Sequence, residues 1–176
     1  MPTVHLVPHP TTPCPGVAAL AVDIAGNLRD GLNLTYRLAG DLDALQIPAP
    51  AASARVDGLW RHTCFEVFAI SDKHPGYREF NFSPSGEWAA YAFSGYRDSA
   101  RDLPMPAPVL ACRIEASGLA FTVTLPAAAL PPPPLRLGLS AVIEHRDGRI
   151  AYWALRHAPG KPDFHHTDAF ALEFTP

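Results

Sequence analysis

Leu135-Arg136-Leu137-Gly138-Leu139-Ser140-Ala141-Val142-Ile143-Glu144 is followed, across His145-Arg146-Asp147-Gly148-Arg149, by Ile150-Ala151-Tyr152-Trp153-Ala154-Leu155. In the first run Leu137, Leu139, Ala141 and Ile143 recur at every second position. Successive strand side chains point to opposite faces, so this spacing predicts a strand with one apolar face. Asp147-Gly148 predicts the turn of a hairpin, because these residues tolerate the backbone that tight turns need.

The same grammar extends outward in both directions. Val109 to Glu115 and Leu119 to Leu125 flank Ser117-Gly118 as a second hairpin, and Ala18 to Ile24 and Leu32 to Leu38 flank Gly26 to Gly31 as a third. Cys64 to Ile70, Tyr77 to Phe82 and Trp88 to Phe93 read as three further strands, and Ala169 to Phe174 as the last. Residues 40–58 lack clean periodicity and predict a long loop with one helical turn. The chain holds 20 prolines, many of them between apolar segments, as at Pro104, Pro106 and Pro108 and in Pro131 to Pro134. Proline removes a ladder donor and fixes φ, so it belongs at strand ends and in loops. About nine or ten short strands at this spacing predict an all-β antiparallel sandwich. With 176 residues the expectation is one domain, 1–176.

Composition narrows the function classes. Formal net charge is −3 and the basic residues form no patch, which argues against a nucleic-acid partner, since phosphate binding needs clustered Lys and Arg. No apolar stretch approaches the ~18 residues of a membrane helix, and nothing points to membrane-surface binding. The N-terminal sequence lacks the pattern of a secretory signal. The three cysteines, Cys14, Cys64 and Cys112, are widely spaced and odd in number, a poor disulfide framework. These features together predict a cytoplasmic protein. No feature sets an oligomeric state.

Strand parity then separates core from site. In Tyr77 to Ser83, Phe80 and Phe82 read as core, leaving Tyr77, Glu79, Asn81 and Ser83 on the other face. Gly138 and Ser140 are small on the second face of their strand, and would leave a hollow that Ala90 and Ala92 extend. Such a hollow, with a few polar groups and an aromatic rim, suits a small polar ligand; the alternative is an ordinary solvent-facing sheet surface. Trp60, Trp88 and Trp153 offer faces for stacking on sugar rings, although core packing is the commoner fate of any one Trp. In a carbohydrate-type site Trp60 or Trp88 stacks, while Glu79, Asn81, Arg97 and Glu144 hold hydroxyls.

The sequence carries the residue types of three other chemistries. His62, Cys64 and Glu66 alternate along one strand as metal-ligand types, yet no paired spacing supplies further ligands, and a free Cys is often apolar filler. His165 beside Asp163, with His157 and His166 nearby, has the elements of a general base, against a plainer role in closing the end of the sandwich. Glu66, Glu79 and Glu144 are the carboxyls from which a glycosidase pair would be drawn; the plainer reading pairs each with Arg61, Arg78, Arg97 or Arg146. No GxSxG, P-loop or GxGxxG motif is present.

Three blocks carry a resemblance. Leu59-Trp60-Arg61-His62-Thr63-Cys64-Phe65-Glu66-Val67-Phe68, then Tyr77-Arg78-Glu79-Phe80-Asn81-Phe82-Ser83-Pro84-Ser85-Gly86-Glu87-Trp88 with Ala90 to Phe93 and Tyr96-Arg97, then Tyr152 to Leu155 with His157 and Lys161 to His165, resemble the DOMON-like domains related to family-nine carbohydrate-binding modules. Small bacterial proteins of that class are the nearest in character. The resemblance implies a jelly-roll-type antiparallel sandwich and binding of a sugar or of haem. Haem calls for axial ligands, often Met and His, for which Met105 and His62, His157, His165 or His166 are available. The expected function is therefore a non-catalytic domain for a small, carbohydrate-type ligand. A haem- or metal-binding protein and a small glycan-processing enzyme are the alternatives. The expected ligand-binding residues are Trp60, Glu66, Tyr77, Glu79, Asn81, Trp88, Arg97, Glu144, His157, Asp163 and His165.

Overall fold

The computed structural model describes residues 2–27 and 30–174. Its elements are β1 (Thr3–Pro8), β2 (Val17–Asn27), β3 (Gly31–Gly40), β4 (Cys64–Ser71), β5 (His74–Phe82), β6 (Trp88–Phe93), β7 (Arg101–Asp102), β8 (Val109–Glu115), β9 (Gly118–Leu125), β10 (Leu135–Glu144), β11 (Ile150–Ala154) and β12 (Leu172–Phe174). Short 3-10 turns lie at Leu42–Ala44, Leu59–Arg61, Ala127–Ala129 and Thr167–Ala169, and no α-helix occurs among the described residues.

The three hairpins form as the turn residues predict: β2–β3, β8–β9 and β10–β11 all pair antiparallel. The helical turn expected in residues 40–58 is Leu42–Ala44, capped by the Asp41 carboxylate, which accepts from the Asp43 N–H. Two strands escape the sequence reading. β7 is only two residues long, and β1 lies in a proline-rich segment where Thr3 to Leu6 pairs with β2. The final strand is shorter than expected, because Thr167–Ala169 winds into a turn before it.

The expected all-β class holds, and the pairing is continuous. One antiparallel sheet runs β7-β6-β5-β4-β10-β11-β1-β2-β3-β9-β8, with β12 also on β10. This sheet curls so that its β2–β3–β9 wing faces its β4–β5–β10 wing across the main core. Phe65 of β4 lies stacked on Phe121 of β9, centroids 4.9 Å apart, and Tyr36 of β3 donates to the Glu66 carbonyl at 2.8 Å. Alternation fills this core: Leu32, Leu34, Tyr36 and Leu38 from β3 meet Val67 and Ala69 from β4 and Leu137, Leu139, Ala141 and Ile143 from β10.

The wings differ on their outer faces. β3 turns Thr35 and Arg37 outward in simple alternation, whereas β4 is buried along both faces except at the half-buried Ile70. The outer cover of β4 is a second apolar cluster in which Leu59, Phe164 and Phe170, from loops, meet Cys64, Phe68, Tyr77 and Val142 from strands. That cover explains why β4 reads as an almost unbroken apolar run containing one glutamate.

Candidate functional site

The site lies on this covered outer face. Glu66 of β4 stands directly across from Asn81 of β5 on one side and Ser140 of β10 on the other. Glu79 is one inward-outward period from Asn81 on β5, so the same face carries it. Above this floor, the turn Leu59–Arg61 brings Trp60, β6 brings Tyr91 and Phe93, and the chain after β11 brings Phe164 and His165. They enclose a cavity of about 450 Å³. This is within the range of pockets that hold small molecules.

The two carboxyls are deeply placed: Glu66 is 2% exposed and Glu79 5%. Glu79 Oε1 accepts from Asn81 Nδ2 at 2.8 Å, and Glu66 Oε2 accepts from Ser140 Oγ at 3.4 Å. Burial, a charge-penalising effect, pushes the Glu79 carboxyl up to about 7, against the opposing pull of Asn81 and the Arg97 charge. Burial also holds Glu66 well above the ordinary carboxylate range, with the Glu79 charge adding to the rise. Asn81 Oδ1 is buried without a hydrogen-bond partner.

Arg97, the cation on the wall, does not neutralise this pair. Its guanidinium bonds Asp163 Oδ1 at 2.9 Å, and Tyr96 donates to the other oxygen of the same carboxylate. Asp163 is consequently held below its usual range by these bonds despite partial burial. Arg97 takes a left-handed backbone, φ +52°, and its N–H donates to Tyr77 Oη at 3.1 Å. Tyr77 Oη in turn lies 2.7 Å from His165 Nδ1. Burial, then the Arg97 charge, lowers His165 to about 4, so its ring is neutral at pH 7. We assign the phenol proton to Nδ1, which leaves the ring proton on Nε2. That atom faces Glu79 Oε2 at 3.7 Å, beyond hydrogen-bond range.

Of the residues expected at the site, Trp60, Glu66, Glu79, Arg97 and His165 line the cavity. Tyr77, Asn81 and Asp163 stand behind them and fix their positions through the bonds just described. Three do not belong. Trp88 is 8% exposed in the main core, on the opposite face of the sheet, while Trp60 is 42% exposed. Glu144 accepts from exposed His62 at 2.8 Å instead of facing the cavity. His157 bonds the Val7 carbonyl at 2.8 Å and ties the C-terminal chain to β1.

The hollow is also displaced. Ala90 sits opposite Phe80 in the β5–β6 register and shares its core face, so the site-facing residues of β6 are Ala89, Tyr91 and Phe93. The Gly138 end is filled: a Cβ there would meet Phe170 Cδ1 at 3.0 Å. Tyr91, Phe93, Tyr152 and Phe164 complete an aromatic wall that parity misassigned or passed over. Fixing Trp88 as core places Ala89, Tyr91 and Phe93, one, three and five residues on, on the outer face.

His62, Cys64 and Glu66 share a face but do not converge, and among the described residues no three His, Cys, Asp or Glu side chains gather to hold a metal ion. Met105 packs against the main core, on the other side of the sheet from His165, so a Met/His axial pair is not assembled. None of the Glu carboxyls expected to pair with Arg61, Arg78, Arg97 or Arg146 does so among the described residues. Among the described residues no helix is long and apolar enough to cross a membrane.

No family model and no curated protein matches the chain. Among solved structures, that of a Bacteroides uniformis ATCC 8492 protein, named provisionally as carbohydrate-binding, superimposes with a TM-score of 0.66 at 12% identity. The match covers 96% of this chain and 83% of that one. At this identity the likeness is one of fold.

Proposed function

We propose that this chain is a non-catalytic domain that binds a small carbohydrate-type ligand in the cavity beneath Trp60. The observation that carries the reading is the pairing of a half-exposed indole with buried carboxyls in a cavity of about 450 Å³. Aromatic faces stack on the C–H faces of sugar rings while carboxylates accept from hydroxyls. The fold shared with the provisionally named Bacteroides protein supports the same reading. A jelly-roll lineage of DOMON-like type belongs to this proposal, as does work in a reducing compartment such as the cytoplasm, which the three unpaired cysteines support. Calorimetric titration with a panel of mono- and disaccharides tests the reading. A hit that Trp60→Ala weakens about tenfold, at unchanged melting temperature, supports it. No saccharide binding at millimolar concentration overturns it.

One observation favours a second reading, a glycan-processing enzyme. Two buried carboxyls share one cavity without an arginine partner, and Glu79 is poised near pH 7, the condition for a general acid. Hydrolysis of an aryl glycoside that Glu79→Gln abolishes supports this reading; no turnover over a panel of aryl glycosides removes it.

A further inference from the structure

The floor of the cavity is built around two buried carboxyls. Glu66 Oε1 has no hydrogen bond among the described residues, although the residue is 2% exposed and lines the cavity. Several nearby donors already have partners: one Arg97 N–H bonds Asp163, Asn81 Nδ2 bonds Glu79, and the Tyr91 hydroxyl bonds Asp57 at 2.7 Å, while the His165 Nε2–H faces Glu79 Oε2 at 3.7 Å. Around the carboxyls stand the rings of Trp60, Tyr91, Phe93 and Phe164. A neutral sugar hydroxyl brings one donor to such a pair. An ammonium has three donors and no lone pair, and aromatic faces attract it as well.

The geometry points to an amine-bearing cation, of amino-sugar type, as the ligand class, with its ammonium seated between the Glu66 and Glu79 carboxylates beneath the aromatic wall. The inference rests on the proposed reading only in taking this cavity as the ligand site. It has a protonic consequence. Burial raises both carboxyls, Glu79 to about 7, and an ammonium between them favours their ionised forms. Binding therefore expels protons. The other groups facing the pair do not substitute for the ligand's charge: Cys64, Tyr77 and Tyr91 are neutral, His165 is neutral, and Arg97 and Asp163 cancel.

The test uses the whole chain at pH 6.5, where most of Glu79 is protonated. The probes are glucosamine, glucose and N-acetylglucosamine, with benzylammonium as a cation that is not a sugar. Affinities are read by calorimetry and proton release by a pH-indicator dye in weak buffer. Glucosamine should bind at least about tenfold more tightly than either neutral sugar and release at least about half a proton per site. Glu66→Gln and Glu79→Gln should each cut that preference severalfold, with circular dichroism and melting temperature checking the fold. Neutral sugars binding as tightly as glucosamine, without proton release, overturn this inference and leave the carbohydrate reading standing. Benzylammonium binding with proton release, while no sugar binds, upholds the cation site and overturns the carbohydrate reading. No binding by any of the four at millimolar concentration overturns both.

Discussion

Glu79→Gln should alter the pH dependence of stability more than stability at any single pH. The wild-type carboxyl is raised from 4.5 to about 7 in the folded state. Between those values the folded protein keeps a proton that the unfolded chain has lost. The stabilisation is therefore full below about pH 4.5 and is lost as pH rises through 7, by about 3 kcal/mol. His165 works in the opposite direction. Its value falls from 6.5 to about 4, so its contribution is present above 6.5 and lost as pH drops, again by about 3 kcal/mol. In the wild type the two slopes oppose each other from about pH 4.5 to 6.5, and this pair leaves stability nearly flat there. Removing the Glu79 titration exposes the His165 slope. The gap between variant and wild type should widen in the variant's favour by about 3 kcal/mol from pH 4.5 to 7.5. Glu66, relieved of the Glu79 charge, widens it further. Urea unfolding followed by tryptophan fluorescence, at half-unit pH steps and constant salt, measures the gap. Parallel curves within roughly 0.5 kcal/mol over the range would refute the burial of an uncompensated Glu79 carboxyl.

Other outcomes follow from single contacts. Trp88→Ala should cost about 3–5 kcal/mol by emptying part of the core, while Trp60→Ala should stay within about 0.5 kcal/mol in chemical denaturation. Tyr77→Phe removes the hydroxyl shared by His165 Nδ1 and the Arg97 N–H; it should cost about 1–3 kcal/mol and shift the His165 ring resonances by NMR. Gly138→Val drives side-chain atoms into Phe170 and the Ala169 carbonyl. It should cost about 1–3 kcal/mol and speed proteolysis in the segment between β11 and β12.

Strand positions were legible because turn residues and prolines mark where pairing must stop, and the β10 and β5 parities were legible because large apolar residues recur on one side. Glu79 and Asn81 followed from the β5 parity, and Glu66 from its alternation with His62 and Cys64. β6 failed because Trp88, Ala90 and Ala92 fit either face as a string; only the register that sets Ala90 against Phe80 decides between them. β1 was hidden because its partners, β2 and β11, are set by long-range pairing and not by any local periodicity. Phe164 lies in a loop, where no period exists to predict which side chain turns inward. The charge state of the site was invisible for a related reason: a string shows Arg97 near Glu79 but does not show Asp163 claiming it.

β1 also sets a timetable for synthesis. Thr3 to Leu6 pair with β2 while Val7 and Pro8 pair with Ala154 and Trp153 of β11, and in the sheet order no other strand joins the two wings. β1 can zip to the β2–β3 hairpin soon after that hairpin leaves the ribosome, yet its remaining edge stays open until β11 has followed. During that interval Val7 and the growing β4–β6 region present unmatched backbone to other nascent chains. The proline that ends β1 offers no N–H at that edge, which makes the waiting strand a poorer template for a stranger and leaves the seam for its own C-terminal partner.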